Sequence, residues 1–68
     1  MKAKDSVAAL IALTSSAQES DAVVRAEAAH ALGLIGDKAA QAALVAAAEK
    51  DPDVRVRDAA TIALRTLG

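Results

Sequence analysis

The sequence predicts an all-α chain of two helical hairpins, four antiparallel helices stacked as a short α-solenoid, in a single domain over residues 1–68. Three observations lead there. Alanine fills 20 of 68 positions, while Cys, Phe, Tyr and Trp are absent. The segment from Val24, VRAEAAHALGLIG, returns from Val56 as VRDAATIALRTLG. Stretches of helical period are separated by connections so short that neighbouring helices must run antiparallel. Alanine is the best helix former and has no side-chain entropy to lose. Its small side chain also lets helix axes approach closely.

A shift of 32 residues aligns Val24 with Val56, Arg25 with Arg57, Ala28 with Ala60, Ala31 with Ala63 and Leu32 with Leu64. The same shift places Ile35 on Leu67, Gly36 on Gly68 and Asp21 on Asp53. Residues 7–11 fall on residues 41–45 with a shift of 34. The difference of two fits the loop from Thr14 to Ser20, since loops absorb insertions at small entropic cost. Repeat one is read as 4–36 and repeat two as 37–68.

The first helix is predicted from about Asp5 to Ser15, with Val7, Leu10, Ile11 and Thr14 on its apolar stripe. Leu13 lies off that stripe and is expected to pack on a neighbouring element. The second helix is predicted from Asp21 to Ile35, and its stripe at 100° per residue is Val24, Ala28, Ala31, Leu32 and Ile35. Gly36 suits the left-handed residue that ends a helix, and Asp37 is a good cap for the next. The third helix is predicted from Lys38 to Lys50, burying Ala40, Leu44, Val45 and Ala48 with Ala47 alongside. Asp51-Pro52 reads as an N-cap followed by proline at the first helical position. The fourth helix runs to Leu67 and buries Val56, Ala60, Ala63, Leu64 and Leu67. Ala31 and Ala63 are expected where helices come closest.

Composition also narrows the function. Formal net charge is −1, with acids and bases interspersed, so the basic excess of a nucleic-acid binder is missing. No apolar run approaches the ~20 residues that span a membrane. The N-terminal segment lacks a small-residue cleavage signature, so a cytoplasmic setting is expected. One histidine without cysteine cannot build a metal site. No Ser-His-Asp set, glycine-rich phosphate loop or catalytic carboxylate pair can be assembled. The chain is therefore read as non-enzymatic, with no cofactor and no metal.

Val-Arg, two variable residues, Ala-Ala, one variable, Ala-Leu-Gly, one variable, Ile-Gly-Asp describes residues 24–37. This pattern resembles the HEAT-like repeats of the phycobilisome-lyase type. Residues 51–68 follow most of it but depart at Thr61 and Arg65, where the pattern has Ala and Gly. The resemblance implies a right-handed solenoid whose second helices line a concave, partner-binding side. It does not imply one function, because scaffolds, lyase subunits and enzymes share the fold. Some members of the class resemble deoxyhypusine hydroxylase, which holds iron with His-Glu dipeptides just after Val-Arg. Those positions here are Ala26-Glu27 and Asp58-Ala59, so that chemistry is not expected.

On the concave side the candidate partner-binding residues are Ala26, His30, Leu34, Asp58, Ile62 and Arg65. Gly33 and Thr66 fall on the same side. Leu34 and Ile62 stand out as apolar residues off the core stripe. His30 is read as an exposed surface residue. Arg25 and Arg57 each follow an acid by four residues, Asp21 and Asp53, and are read as structural i,i+4 pairs that also tie the repeats together. Gly36 and Asp37 are structural as well. The expected partner is another protein or peptide. A twofold homodimer is also expected, since terminal repeats without polar caps leave apolar faces open. The alternatives are an accessory piece of a bilin lyase, or an engineered or excised fragment of a longer solenoid.

Overall fold

A computed structural model describes residues 3–68, with side chains described from Val7 onward. Its helices are α1 (Ala3–Leu13), α2 (Ala22–Ile35), α3 (Gln41–Lys50) and α4 (Val54–Leu67). A 3-10 turn over Lys38–Ala40 leads into α3. The predicted all-α hairpin architecture is thus present. α1 ends two residues short of the expected Ser15, where Thr14 turns its hydroxyl onto the Ile11 carbonyl at 2.6 Å.

Three aspartates start the helical segments in one way. Asp21 accepts from the Val23 N–H at 2.9 Å, Asp37 from Ala39 at 2.9 Å and Asp53 from Arg55 at 2.8 Å. Each satisfies a backbone donor that the first turn leaves without a partner. Asp37 caps as expected. The Asp51-Pro52 reading is corrected, because α4 begins two residues later on Asp53. Proline holds its predecessor extended, and Asp51 has φ −64° and ψ 135°. That conformation ends α3 and leaves the Asp51 side chain buried.

Gly36 has φ 75° and its N–H donates to the Leu32 carbonyl at 3.1 Å. A Cβ there would meet nothing within 4 Å, so only the backbone conformation resists substitution. Gly36→Val is expected to lower stability by ~1–2 kcal/mol, the cost of a left-handed residue with a side chain. Gly36→Asn should cost less, since Asn tolerates this conformation. Thermal denaturation of both variants checks the order; a Val variant as stable as Asn would remove the left-handed turn from the account.

α2 is central. It packs on α1 on one side and most extensively on α4 on the other, while α3 covers α4. Among the described residues the largest fully buried side chains are Leu32, Leu44 and Val56. Ala28, Ala29, Ala40, Ala47, Ala60 and Ala63 fill much of the rest. The single-stripe reading of α2 therefore needs correction. Ala29, off the predicted stripe, is 0% exposed, whereas Ile35 is 43% exposed. Val24 and Ala31 are half-buried. A helix covered from two directions buries two stripes, and the second one here is Arg25, Ala29 and Gly33. Val45 and Leu13, both expected to pack, are also substantially exposed.

A close approach of α2 and α4 lies at Gly33, two residues beyond the expected Ala31. A Cβ on Gly33 would lie 2.8 Å from the Ala63 Cα and 2.9 Å from its Cβ. Ala63 is at the contact, as predicted.

Candidate functional site

The α2–α4 face is positioned by a polar clamp between the two hairpins. The Arg25 Nε donates to Asp51 Oδ2 at 2.8 Å and its Nη2 to Oδ1 at 3.1 Å. The two side chains are 5% and 2% exposed. The Arg25 Nη1 donates to the Glu19 carbonyl at 2.8 Å. Asp51 Oδ1 also accepts from the Asp53 N–H at 2.9 Å. No buried side-chain nitrogen or oxygen among the described residues lacks a partner.

The predicted pairing of Arg25 with Asp21 is corrected. Asp21 uses its carboxylate on the Val23 N–H instead, and the guanidinium reaches an acid 26 residues further along. Arg57 does not pair with the Asp53 side chain either; its Nη1 donates to the Asp51 carbonyl at 2.7 Å. Arg25 on the Glu19 carbonyl and Arg57 on the Asp51 carbonyl are the same device, 32 residues apart. The acids at 19 and 51 align at the repeat shift, a signal overlooked beside the nearer Asp21 and Asp53.

Arg55 grips Asp53 through Nε at 3.1 Å and Nη2 at 2.8 Å. This exposed pair adds little to stability but holds the guanidinium at the edge of a groove. The groove encloses about 400 Å³ and is lined by Val23, Ala26, Glu27, His30 and Arg55. It contains two of the predicted partner-binding residues, Ala26 and His30. Leu34, Asp58, Ile62 and Arg65 are exposed but do not line it. Leu34 is 71% and Ile62 54% exposed. Val23, Glu27 and Arg55 were missed. On α2, residues 23, 27, 30 and 34 recur at helical spacing, which would have picked out the exposed stripe. Gly33 leaves the predicted concave set because it is buried.

A second hollow of about 290 Å³ lies between the end of α1 and α3, with Ile11, Thr14 and Lys50 in its wall. Among the described residues no three His, Asp or Glu side chains gather as a metal site. No described helix is long and apolar enough to cross a membrane.

The charges make the clamp sensitive to acid. Burial pushes the Asp51 carboxyl up, but the Arg25 hydrogen bonds and charge, with the Asp53 N–H, hold it below its ordinary value. Hydrogen bonds from the Arg55 side chain and backbone hold Asp53 at about 2. Both values are depressed in the folded chain, so both groups contribute stability above the unfolded aspartate value of ~3.9. That contribution is lost as pH falls from ~4 toward 2. Melting temperatures measured across this range should decline steeply in the unaltered chain and less in Asp51→Asn. Parallel curves would remove Asp51 from the acid response.

A family description, HEAT repeats, matches residues 1–65. No curated protein and no solved structure matches. The matched span covers almost the whole chain and both hairpins, and the chain belongs to the HEAT-repeat family.

Proposed function

We propose that the chain is a non-enzymatic protein-interaction module that binds a protein or peptide over the α2–α4 face. The observation that carries this reading is the groove between Val23, Ala26, His30 and Arg55, continued along the same helices by exposed Leu34 and Ile62. Apolar side chains beside a few polar groups suit recognition of another chain. HEAT repeats commonly serve as interaction scaffolds, which supports the same reading.

The test is capture of a binding protein by the unaltered chain, repeated with Ile62→Asp, Leu34→Asp and Val23→Asp. Each is expected to weaken binding by roughly tenfold or more, the loss of one good apolar anchor. Their melting temperatures should stay near that of the parent, since all three side chains are exposed. Val45→Asp on α3 is the control and should bind normally. Equal binding by all four variants would sink the proposed face.

A bilin-lyase role draws no support from the site, which has no aromatic side chain to stack on a tetrapyrrole. Twofold pairing through the outer side of the last hairpin draws little. Leu64 and Leu67 are half-buried against the core, and Val45 is the large apolar residue left exposed on α3.

A further inference from the structure

Arg25, Ala29 and Gly33 share one stripe of α2 and all three are buried; Gly33 meets Ala63 of α4 and Arg25 meets Asp51 just before it. One repeat later the same positions are Arg57, Thr61 and Arg65. Arg57 and Thr61 are half-buried and Arg65 is exposed. By the repeat, this stripe of α4 faces the place where a further hairpin would stack.

One end of the stripe is matched to such a neighbour. Arg25 uses Nη1 on a carbonyl and Nε and Nη2 on Asp51. Arg57 uses Nη1 on a carbonyl, and among the described residues its Nε and Nη2 make no bond. The acid in the Asp51 register of repeat one is Glu19. Its Oε2 accepts from the Asp21 N–H at 3.0 Å, as Asp51 Oδ1 accepts from Asp53. Among the described residues no cation pairs with Glu19. Arg57 of one copy and Glu19 of a second copy therefore hold the register of Arg25 and Asp51.

The other end refuses the neighbour. At Gly33 even a Cβ would come within 2.8 Å of a backbone carbon of α4. Arg65 occupies the Gly33 position, and Ala31 of a second copy would oppose it as Ala63 opposes Gly33. Thr61 adds a branched side chain where Ala29 is 0% exposed. We propose that Thr61 and Arg65 are a cap: they keep a second copy from docking head to tail on α4, along a register that Arg57 and Glu19 otherwise match.

The test is sedimentation equilibrium of the unaltered chain, T61A/R65A and T61A/R65G over one concentration range. The weight-average mass of the glycine variant is expected to climb with concentration past any closed dimer, because a head-to-tail contact does not close. The unaltered chain and the alanine variant should keep one common mass, since alanine retains the Cβ. Adding R57E to the glycine variant should stop elongation. Mixing that chain with a glycine variant carrying E19R should restore it, each new charge meeting its opposite. A helical glycine variant that keeps the mass of the unaltered chain overturns the cap. Elongation of the alanine variant overturns the Cβ argument, and elongation indifferent to R57E overturns the register. If circular dichroism shows the glycine variant unfolded, R57E and E19R in the otherwise unaltered chain decide. The cap requires their mixture to keep the mass of its parts, and joint elongation overturns it.

Discussion

Arg25→Ala is expected to lower the melting temperature by on the order of 10 °C or more, a large fraction of the stability of so small a domain. The substitution removes two bonds to Asp51 and one to the Glu19 carbonyl. It also strands the Asp51 carboxylate at a site where the residue is 5% exposed. An unpaired buried charge costs more than the absence of the pair. Asp51→Ala introduced into Arg25→Ala should therefore recover part of the loss, so that the two changes are far from additive. Salt gives a second signature. A buried pair is screened little, so the deficit of Arg25→Ala should persist at about 1 M salt, where exposed pairs such as Asp53–Arg55 are screened. Additive losses, or a deficit that salt erases, would mean that the hairpins are not clamped through this pair.

The same pair explains what the sequence disclosed and what it concealed. The hairpins, the repeat shift, the turn at Gly36 and the cap at Asp37 were legible because each rests on local chemistry or on a period within one helix. Arg25–Asp51 was not. Asp21 stands four residues from Arg25, and spacing alone makes it the natural partner. Only the fold reveals that Asp21 is committed to the Val23 N–H and that Asp51 is brought alongside from the connection between α3 and α4. Ala29 and Gly33 were misplaced for a related reason. A period of 3.6 identifies a stripe, but it cannot count how many neighbours a helix has. In an alanine-rich helix the second buried stripe, Arg25, Ala29 and Gly33, has no large apolar side chain to mark it. The groove was half legible. Ala26 and His30 were singled out, while Val23 and Glu27 carry the same spacing one turn away. Arg55 belongs to the site because Asp53 holds it there, a contact that requires the bend after Pro52.

Gly33→Ala sets two effects against each other. Glycine inside a helix is ordinarily a liability, and alanine there should add ~1 kcal/mol through helix propensity. Against this, the new Cβ would sit 2.8 Å from the Ala63 Cα. That atom is backbone, so no rotamer change relieves the clash, and α2 and α4 must move apart. Overpacking of this kind typically costs ~1–3 kcal/mol, which outweighs the propensity gain. Loss of closeness along the α2–α4 contact, the most extensive in the fold, adds to the cost. The expected result is a net loss, read as a melting temperature lower by roughly 4–8 °C for each kcal/mol. Ala63→Gly in the same chain should rescue it only in part: it removes the contact at 2.9 Å with the Ala63 Cβ but leaves the one at 2.8 Å with the Cα. Gly33→Leu should cost more than Gly33→Ala, since no rotamer of leucine avoids α4. A Gly33→Ala chain that melts above its parent would show that the helices have room to yield. The spacing also reaches the proposed binding face. Val23 and Ala26 on α2 and Arg55 on α4 line one groove, so separating the helices widens it. Partner affinity should then fall in Gly33→Ala although no groove residue has changed.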